Sequence, residues 1–203
     1  FATLQHFHAF PWMVAVKLGL WPELAAEASP DSTLPYARAL WHYAQGVRKA
    51  RSGDAPGART ELAALQHLMQ DSLVQKMTIW GINRASHILR FAEHELMGEV
   101  ASAEGKAEEA VGHFKLAVAS EDSLQYQEPP DWTFPARHEL GNALLKAGKA
   151  ADAENVFSED LVYWPENGYA LEGLREAQRA QKKNAEAEKL EARITAAWQH
   201  ADR

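Results

Sequence analysis

The sequence contains no cysteine, which excludes disulfide bonds, thiolate metal sites and a cysteine nucleophile. It also lacks a long hydrophobic run: the longest, Trp12 to Val16, is far shorter than the roughly 20 residues that a membrane-spanning helix needs. β-Branched residues are scarce, with 9 Val and 4 Ile against 37 Ala and 21 Leu. Ala and Leu favour helices, whereas Val and Ile lose side-chain freedom in them. The composition therefore predicts a soluble, all-α protein.

Basic residues do not predominate, with 21 Lys and Arg against 28 Asp and Glu and a net charge of −7. An acidic chain is poorly suited to phosphate backbones or anionic lipid surfaces, so we predict neither nucleic acid nor membrane insertion. The start of the sequence has no basic-then-apolar signal, and we expect the cytoplasm rather than export. Because the sequence starts with Phe1 and not Met, we expect it to be a piece of a longer protein.

Motifs that carry chemistry are also missing. The sequence has no G-x-S-x-G, no G-x-x-x-x-G-K-[ST] and no H-E-x-x-H, so nucleophile elbows, phosphate loops and the common zinc motif are excluded. The acidic pairs Glu108-Glu109 and Glu121-Asp122 fall on the outside or at the start of predicted helices. At a helix start, the helix dipole stabilises acidic side chains. We therefore predict no catalysis and no cofactor here, although a part further upstream could carry an activity.

What the sequence does contain is an internal repeat marked by small residues. Each copy has a Gly in a first predicted helix, a second Gly seven residues later and an Ala five residues after that. A fourth segment is degenerate but in phase, because Leu174 repeats Leu140 after 34 residues. The three clear copies contain Gly46, Gly53 and Ala58; Gly98, Gly105 and Ala110; and Gly141, Gly148 and Ala153.

This pattern resembles the tetratricopeptide repeat (TPR), a helix–turn–helix unit of 34 residues. Gly141 and Ala153 fall where the two helices of such a unit cross, and a larger side chain would force the helices apart. Gly148 supplies the left-handed conformation that ends a first helix, and Pro165 ends a second helix. The resemblance implies an all-α fold, a right-handed superhelical stack of about five helix-turn-helix hairpins that forms a TPR-like α-solenoid.

We predict a single TPR-like helical repeat domain over residues 1–203. The distance between copies is uneven, which predicts insertions at residues 70–86 and 121–134. Apolar residues recur every four positions over residues 184–201, and this predicts one charged amphipathic helix that caps the stack. The predicted hairpins cover approximately residues 2–28, 34–70, 84–120, 134–164 and 168–201.

Three segments make the resemblance more specific than the TPR repeat in general. They are PYARALWHYAQG, PPDWTFPARHELGNALLKAGKAADAENVFSEDL and EARITAAWQHAD. Their combination is similar to the C-terminal part of a group of bacterial TPR proteins. Full-length members of this group are longer and carry further repeats and His-rich segments in their N-terminal halves. The resemblance implies a scaffold for protein–protein interaction, and it carries no catalytic residue onto this sequence.

In a TPR solenoid the first helices line a concave groove, and the repeat register places candidate binding residues there. We predict that this groove binds a protein or a peptide. The candidates are Tyr43, Arg51, Glu95, Glu99, His138, Asn142, Lys146, Glu172, Glu176 and Arg179.

Asn142 and Lys146, one helical turn apart, are similar to the Asn and basic pair with which some TPR relatives clamp the terminal carboxylate of a peptide. The amide and the ammonium both donate hydrogen bonds to carboxylate oxygens. His138, however, stands where those clamps carry a Lys, and the Glu residues of the groove would repel an acidic tail. We therefore predict a partner of mixed or basic charge. The alternative is that these side chains form solvated helix surfaces.

The second insertion combines Pro129-Pro130 with Tyr126, Trp132 and Phe134. Long loops in compact repeat arrays are often functional, so Tyr126 and Trp132 are further candidates for contact with a ligand at the rim of the groove. The alternative is that Trp132 and Phe134 fasten the start of the next first helix to the preceding hairpin.

Two further hypotheses stay open. The first is that this chain supports a larger metal-binding or enzymatic protein whose His-rich site lies mainly upstream. We predict no metal site in the chain itself, and its candidate ligands would be His6 and His8, although one site needs three or four ligands. The second is self-association, in which the first or last hairpin docks on another copy to form a homo-oligomer.

Overall fold

The computed structural model describes residues 2–132 and 134–201, and it confirms the all-α prediction for this part of the chain. The helices form two compact units, Phe1–Phe134 and Pro135–Arg203, which we call unit 1 and unit 2. No helix within the described ranges is both long and apolar enough to cross a membrane.

Unit 1 is built mainly from pairs of antiparallel helices that are joined by short turns, with a small insert between two of the pairs. In the insert, a short helix is followed by two antiparallel strands in which Ile79 faces Asn83. The elements are α1 (Ala2–Leu18), α2 (Trp21–Ala26), α3 (Pro35–Arg51), α4 (Ala55–Met69), α5 (Ser72–Lys76), β1 (Thr78–Ile79), β2 (Asn83–Arg84), α6 (Ala85–Ala103) and α7 (Ala107–Asp122).

Unit 2 continues the pattern of helix pairs, but its end differs from the prediction of one helix over residues 184–201. The helix is interrupted at Leu190 and ends at Ala197. The apolar spacing still has its expected effect, because Leu190 and Ile194 are buried and Ile194 N donates to Leu190 O at 2.9 Å. The elements are α8 (Arg137–Lys146), α9 (Ala150–Tyr163), α10 (Gly168–Ala180), α11 (Asn184–Lys189) and α12 (Glu191–Ala197).

The turn within a helix pair depends on the repeated glycine. Gly148 has a φ of +74°, which confirms the left-handed conformation expected there. The reversal closes the end of α8, because Lys149 N donates to Leu144 O at 2.8 Å. Gly105 has the same φ and closes α6 in the same way.

The small residues inside the helices allow close packing around one phenylalanine in unit 2. A Cβ atom at Gly141 of α8 or at Gly173 of α10 would lie 2.3 Å from the ring of Phe157 in α9. This distance is far inside van der Waals contact, and the Phe157 ring is almost completely buried. Glycine at these positions therefore determines how closely α8, α9 and α10 pack.

Candidate peptide-binding surface

The predicted groove residues lie on the first helices of their pairs, α3 and α6 in unit 1 and α8 and α10 in unit 2. We call the surface that these residues occupy in each unit its first-helix face. In unit 1 the face is formed by Tyr43, Arg51, Glu95 and Glu99. In unit 2 it is formed by His138, Asn142, Lys146, Glu172, Glu176 and Arg179.

In unit 1, Tyr43 and Glu95 bind each other across α3 and α6. Tyr43 Oη donates to Glu95 Oε2 at 2.9 Å, and both side chains are buried. Burial and the neighbouring charge of Glu95 raise the pKa of Tyr43 well above its usual range. The Glu95 carboxylate is therefore a hydrogen-bond acceptor inside the fold and not a free charge that faces a ligand.

Arg51 and Glu99 make the second contact between the same helices. Arg51 Nε lies 3.1 Å from both carboxylate oxygens of Glu99, and Arg51 Nη2 lies 2.5 Å from Glu99 Oε1. Such bidentate pairs are directional and strong. Glu99 is buried, so its predicted role as a repulsive acid in an open groove is corrected: its charge is neutralised within unit 1.

The second insertion lies against this face. The ring centroid of Trp132 is 4.3 Å from that of Phe91 and 5.2 Å from that of Tyr43, and Trp132 is buried. Trp132 therefore packs on α3 and α6 and, being buried, offers no open surface to a ligand at the rim of a groove. The other loop candidate, Tyr126, is 77% exposed.

Sequence reasoning missed the residue that holds this insertion, Asn83. Its Nδ2 donates to Gln125 O at 2.8 Å and to Asp131 Oδ2 at 2.7 Å, and its Oδ1 accepts from Gln125 N at 2.9 Å. Asn83 and Asp131 are both buried. The available signal was weak, since a polar residue at the inward position of a two-residue strand has no recognisable sequence pattern.

His6 belongs to the same buried region, whereas His8 does not. His6 Nδ1 lies 2.8 Å from Tyr36 Oη, and His6 Nε2 lies 3.9 Å from Asp131 Oδ1. Burial lowers the pKa of His6 from 6.5 to about 4, and it raises the pKa of Asp131. His8 is exposed and packs edge-on against Trp12, so the two candidate ligands do not converge. Within the described ranges, no three His, Asp or Glu side chains are placed to hold a metal ion.

In unit 2, one predicted groove residue is part of the interior. His138 is buried, and its Nε2 lies 3.1 Å from Asp160 Oδ2 and 3.2 Å from Asn167 Nδ2. Its ring also packs against Tyr169 of α10, with centroids 5.8 Å apart. His138 thus connects α8 to α9 and α10 and is not accessible as a cationic clamp.

The remaining unit 2 residues are on the surface. Asn142 and Lys146 of α8 and Glu176 of α10 are exposed, and none of them makes a hydrogen bond or ion pair with another described residue. Glu172 is half-buried. Arg179 is exposed but is held by Glu191 of α12, with Nη2 2.8 Å from Glu191 Oε1.

Two solved structures have folds similar to this chain, and both contain TPR-like repeats of a putative kinesin light chain from Podospora anserina. One is of a sequence variant, with a TM-score of 0.57 and 17% identity over 96% of this chain and 92% of that chain. The other has a TM-score of 0.55 and 18% identity over 98% of this chain and 95% of that chain. No protein-family profile and no curated protein sequence matches the chain. At these identities the similarity shows the fold alone, and the predicted TPR-like helical-repeat fold is confirmed.

Proposed function

We propose that this chain is a protein-binding scaffold that holds a peptide segment on the first-helix face of unit 2, without chemical turnover. The observation that carries the proposal is the exposure of Asn142, Lys146 and Glu176 on adjacent first helices. In unit 1 the groove candidates contact one another, Tyr43 with Glu95 and Arg51 with Glu99. TPR-like folds commonly present their first helices to partners, so a face with exposed, unpaired polar groups is the better candidate.

The chemistry of these three side chains fits a peptide of mixed charge. The carboxamide of Asn142 can both donate to and accept from a peptide main chain. The Lys146 ammonium donates to a carbonyl or carboxylate oxygen one helical turn further along α8, and Glu176 accepts from a cationic side chain. The buried His138 removes one cation from the carboxylate clamp that the sequence suggested, so a peptide terminus is not required for binding.

The finer predictions from the sequence stay predictions. They include the likeness to the C-terminal part of bacterial TPR proteins, a support role for a metal-binding or enzymatic part upstream, self-association, and a cytoplasmic location. The similarity of fold supports the coarser statement, since TPR-like repeats typically act as interaction scaffolds and not as enzymes.

A random peptide library displayed on phage tests the proposal with the full chain. Peptides enriched on the native protein are synthesised, and their dissociation constants are measured by fluorescence anisotropy. We expect Lys146→Glu to weaken binding about 10- to 100-fold, as the loss of a charge-assisted hydrogen bond implies.

The matched control is Lys189→Glu, the same reversal at an exposed lysine of α11, which we expect to leave binding unchanged. Equal losses of affinity in both variants would show that the effect comes from the change in net charge and not from a contact at Lys146. A library that yields no peptide sensitive to Asn142→Ala, Lys146→Glu or Glu176→Lys would contradict the proposal.

A further inference from the structure

Residues 125–132, which we call the docked segment, contain no helix or strand and lie against Tyr43 of α3, Phe91 of α6 and Asn83 of β2. Within the described chain, no main-chain atom of this segment is hydrogen-bonded to another main-chain atom. Side chains therefore hold the segment, as they would hold a separate peptide.

The contact to the main chain of the docked segment is made by one carboxamide. Asn83 accepts from Gln125 N at 2.9 Å and donates to Gln125 O at 2.8 Å, so it pairs with both polar main-chain groups of one residue. This two-way pairing does not depend on which side chain Gln125 carries. It is a contact that any peptide residue in this position could satisfy.

The second contact is to the carboxylate of Asp131, which is buried. Asn83 Nδ2 donates to Asp131 Oδ2 at 2.7 Å, Gln127 donates to the other oxygen from within the segment, and His6 Nε2 lies 3.9 Å from that oxygen. A buried carboxylate needs hydrogen-bond donors, and Asn83 supplies one to Asp131 from outside the segment. The third contact is to Trp132, whose indole packs against the rings of Phe91 and Tyr43.

The docked segment has one buried side and one exposed side. Gln127, Asp131 and Trp132 point inward and are buried, whereas Tyr126, Glu128 and Pro129 are exposed. Because Tyr126, Glu128 and Pro129 are exposed, the docked segment forms the outer layer of the described part of unit 1 at this place. The segment supplies the contacts that Asn83, Phe91 and Tyr43 make on this side.

We propose that the surface beneath the docked segment, formed by Asn83, His6, Tyr43 and Phe91, is a second peptide-binding site, whose external ligand is a non-helical segment with an acidic residue directly followed by Trp. In the free protein the docked segment occupies this site and competes with that ligand. The site does not depend on Asn142, Lys146 or Glu176, so it can hold or fail independently of the function proposed for unit 2.

The test uses a fluorescein-labelled peptide with the sequence of residues 123–134, SLQYQEPPDWTF. Residues 125–132 of the full chain are replaced by a Gly-Ser linker of equal length, and helix content is checked by circular dichroism. We expect the peptide to bind this variant at least tenfold more tightly than it binds the native protein. Peptides with Trp132→Ala or Asp131→Asn should bind at least tenfold more weakly than the native peptide.

A helical linker variant that does not bind the peptide would overturn the proposal, and so would equal binding of the native and Trp132→Ala peptides. If the linker variant loses its helices, Trp132→Ala in the full chain replaces it, because this change empties the aromatic position and shortens no connection. Trp132→Ala protein that gains no affinity for the native peptide also overturns the proposal.

Two controls separate this site from other occupants. Lys146→Glu in the linker variant should leave binding of the peptide unchanged, since that residue belongs to the unit 2 face. A native protein that forms a dimer by exchanging docked segments, detected by native mass spectrometry at two concentrations, would make a second copy the ligand. That outcome would overturn the assignment to an external partner.

Discussion

The first-helix faces of the two units use the same repeat positions for opposite purposes. Arg51 in unit 1 and Lys146 in unit 2 both stand five residues after the small glycine of their repeat. Arg51 forms a bidentate pair with the buried Glu99, whereas Lys146 is exposed and makes no such pair with another described residue. A repeat position therefore does not define a binding residue, because the side chain on the neighbouring first helix decides whether a charge is paired inside the fold.

The largest expected effect concerns the helix packing on which the unit 2 face depends. Gly141→Leu should destabilise unit 2 by more than the usual cost of overpacking, about 1–3 kcal/mol, because even a Cβ there would lie 2.3 Å from the buried Phe157 ring and a leucine adds three more carbons. Gly112→Leu is the control, since a Cβ at Gly112 in α7 would meet no atom within 4 Å apart from its chain neighbours and its own helix backbone. Thermal unfolding followed by circular dichroism compares the two variants. A Gly141→Leu protein as stable as the control would contradict the repeat register.

The next largest effect should be the charge reversal Arg51→Glu in unit 1. It would remove the partner of buried Glu99 and place a second carboxylate beside it, and breaking a buried ion pair costs about 3–5 kcal/mol. Because Arg51 is itself about one-third exposed, we expect roughly 3 kcal/mol, the lower end of that range. The free energy of unfolding from urea titration measures this loss. A double variant, Arg51→Glu with Glu99→Arg, should recover part of the stability.

A smaller effect follows from the buried imidazole beneath the docked segment. Because burial lowers the pKa of folded His6 to about 4, the unfolded chain binds this proton more tightly than the folded chain does. The contribution of neutral His6 to stability is therefore complete above about pH 6.5 and is lost as the pH falls toward 4. Between pH 7 and pH 5 we expect a loss of about 2 kcal/mol, which the raised pKa of Asp131 partly offsets.

Urea titrations at several pH values measure this dependence. His6→Gln should make the stability of the protein less dependent on pH between 7 and 5, because it removes the group whose pKa changes on folding. The matched change His8→Gln, at an exposed position of the same helix, should leave the dependence as it is in the native protein. If the stability of the native protein instead increased as the pH was lowered from 7 to 5, the role of His6 would be contradicted.

The smallest effect on stability is expected from Lys146→Glu. Surface substitutions away from specific contacts change the free energy of unfolding by at most about 0.5 kcal/mol, and Lys146 has no such contact within the described chain. The same charge reversal thus separates the two faces: it should destabilise unit 1 at position 51 and leave unit 2 nearly unchanged at position 146. Loss of stability in Lys146→Glu comparable to that of Arg51→Glu would show that the unit 2 face is also structural.

The fold could be predicted because its signals are local. Gly148 reverses the chain, and Gly141 leaves room for the Phe157 ring. These two glycines recur at a fixed spacing that the sequence shows directly. The candidate site was less predictable. The register predicted an exposed position for Asn142 and Lys146, and both are exposed, but it predicted the same for Glu95 and His138, which the structure buries. Asn83 and Asp131 carry no repeat signal, since they meet across 48 residues of sequence.

The sequence by itself determined the all-α fold class and the spacing of the repeats. Helix preference, left-handed turns and helix crossings depend on single residues and their near neighbours. Only the tertiary structure decided which polar groups are used internally. Whether a carboxylate such as Glu99 is a free charge depends on a guanidinium from another helix. Whether Trp132 is exposed at the edge of a groove or buried depends on rings that α3 and α6 contribute. Such pairings depend on distances between helices, which no spacing along the chain specifies.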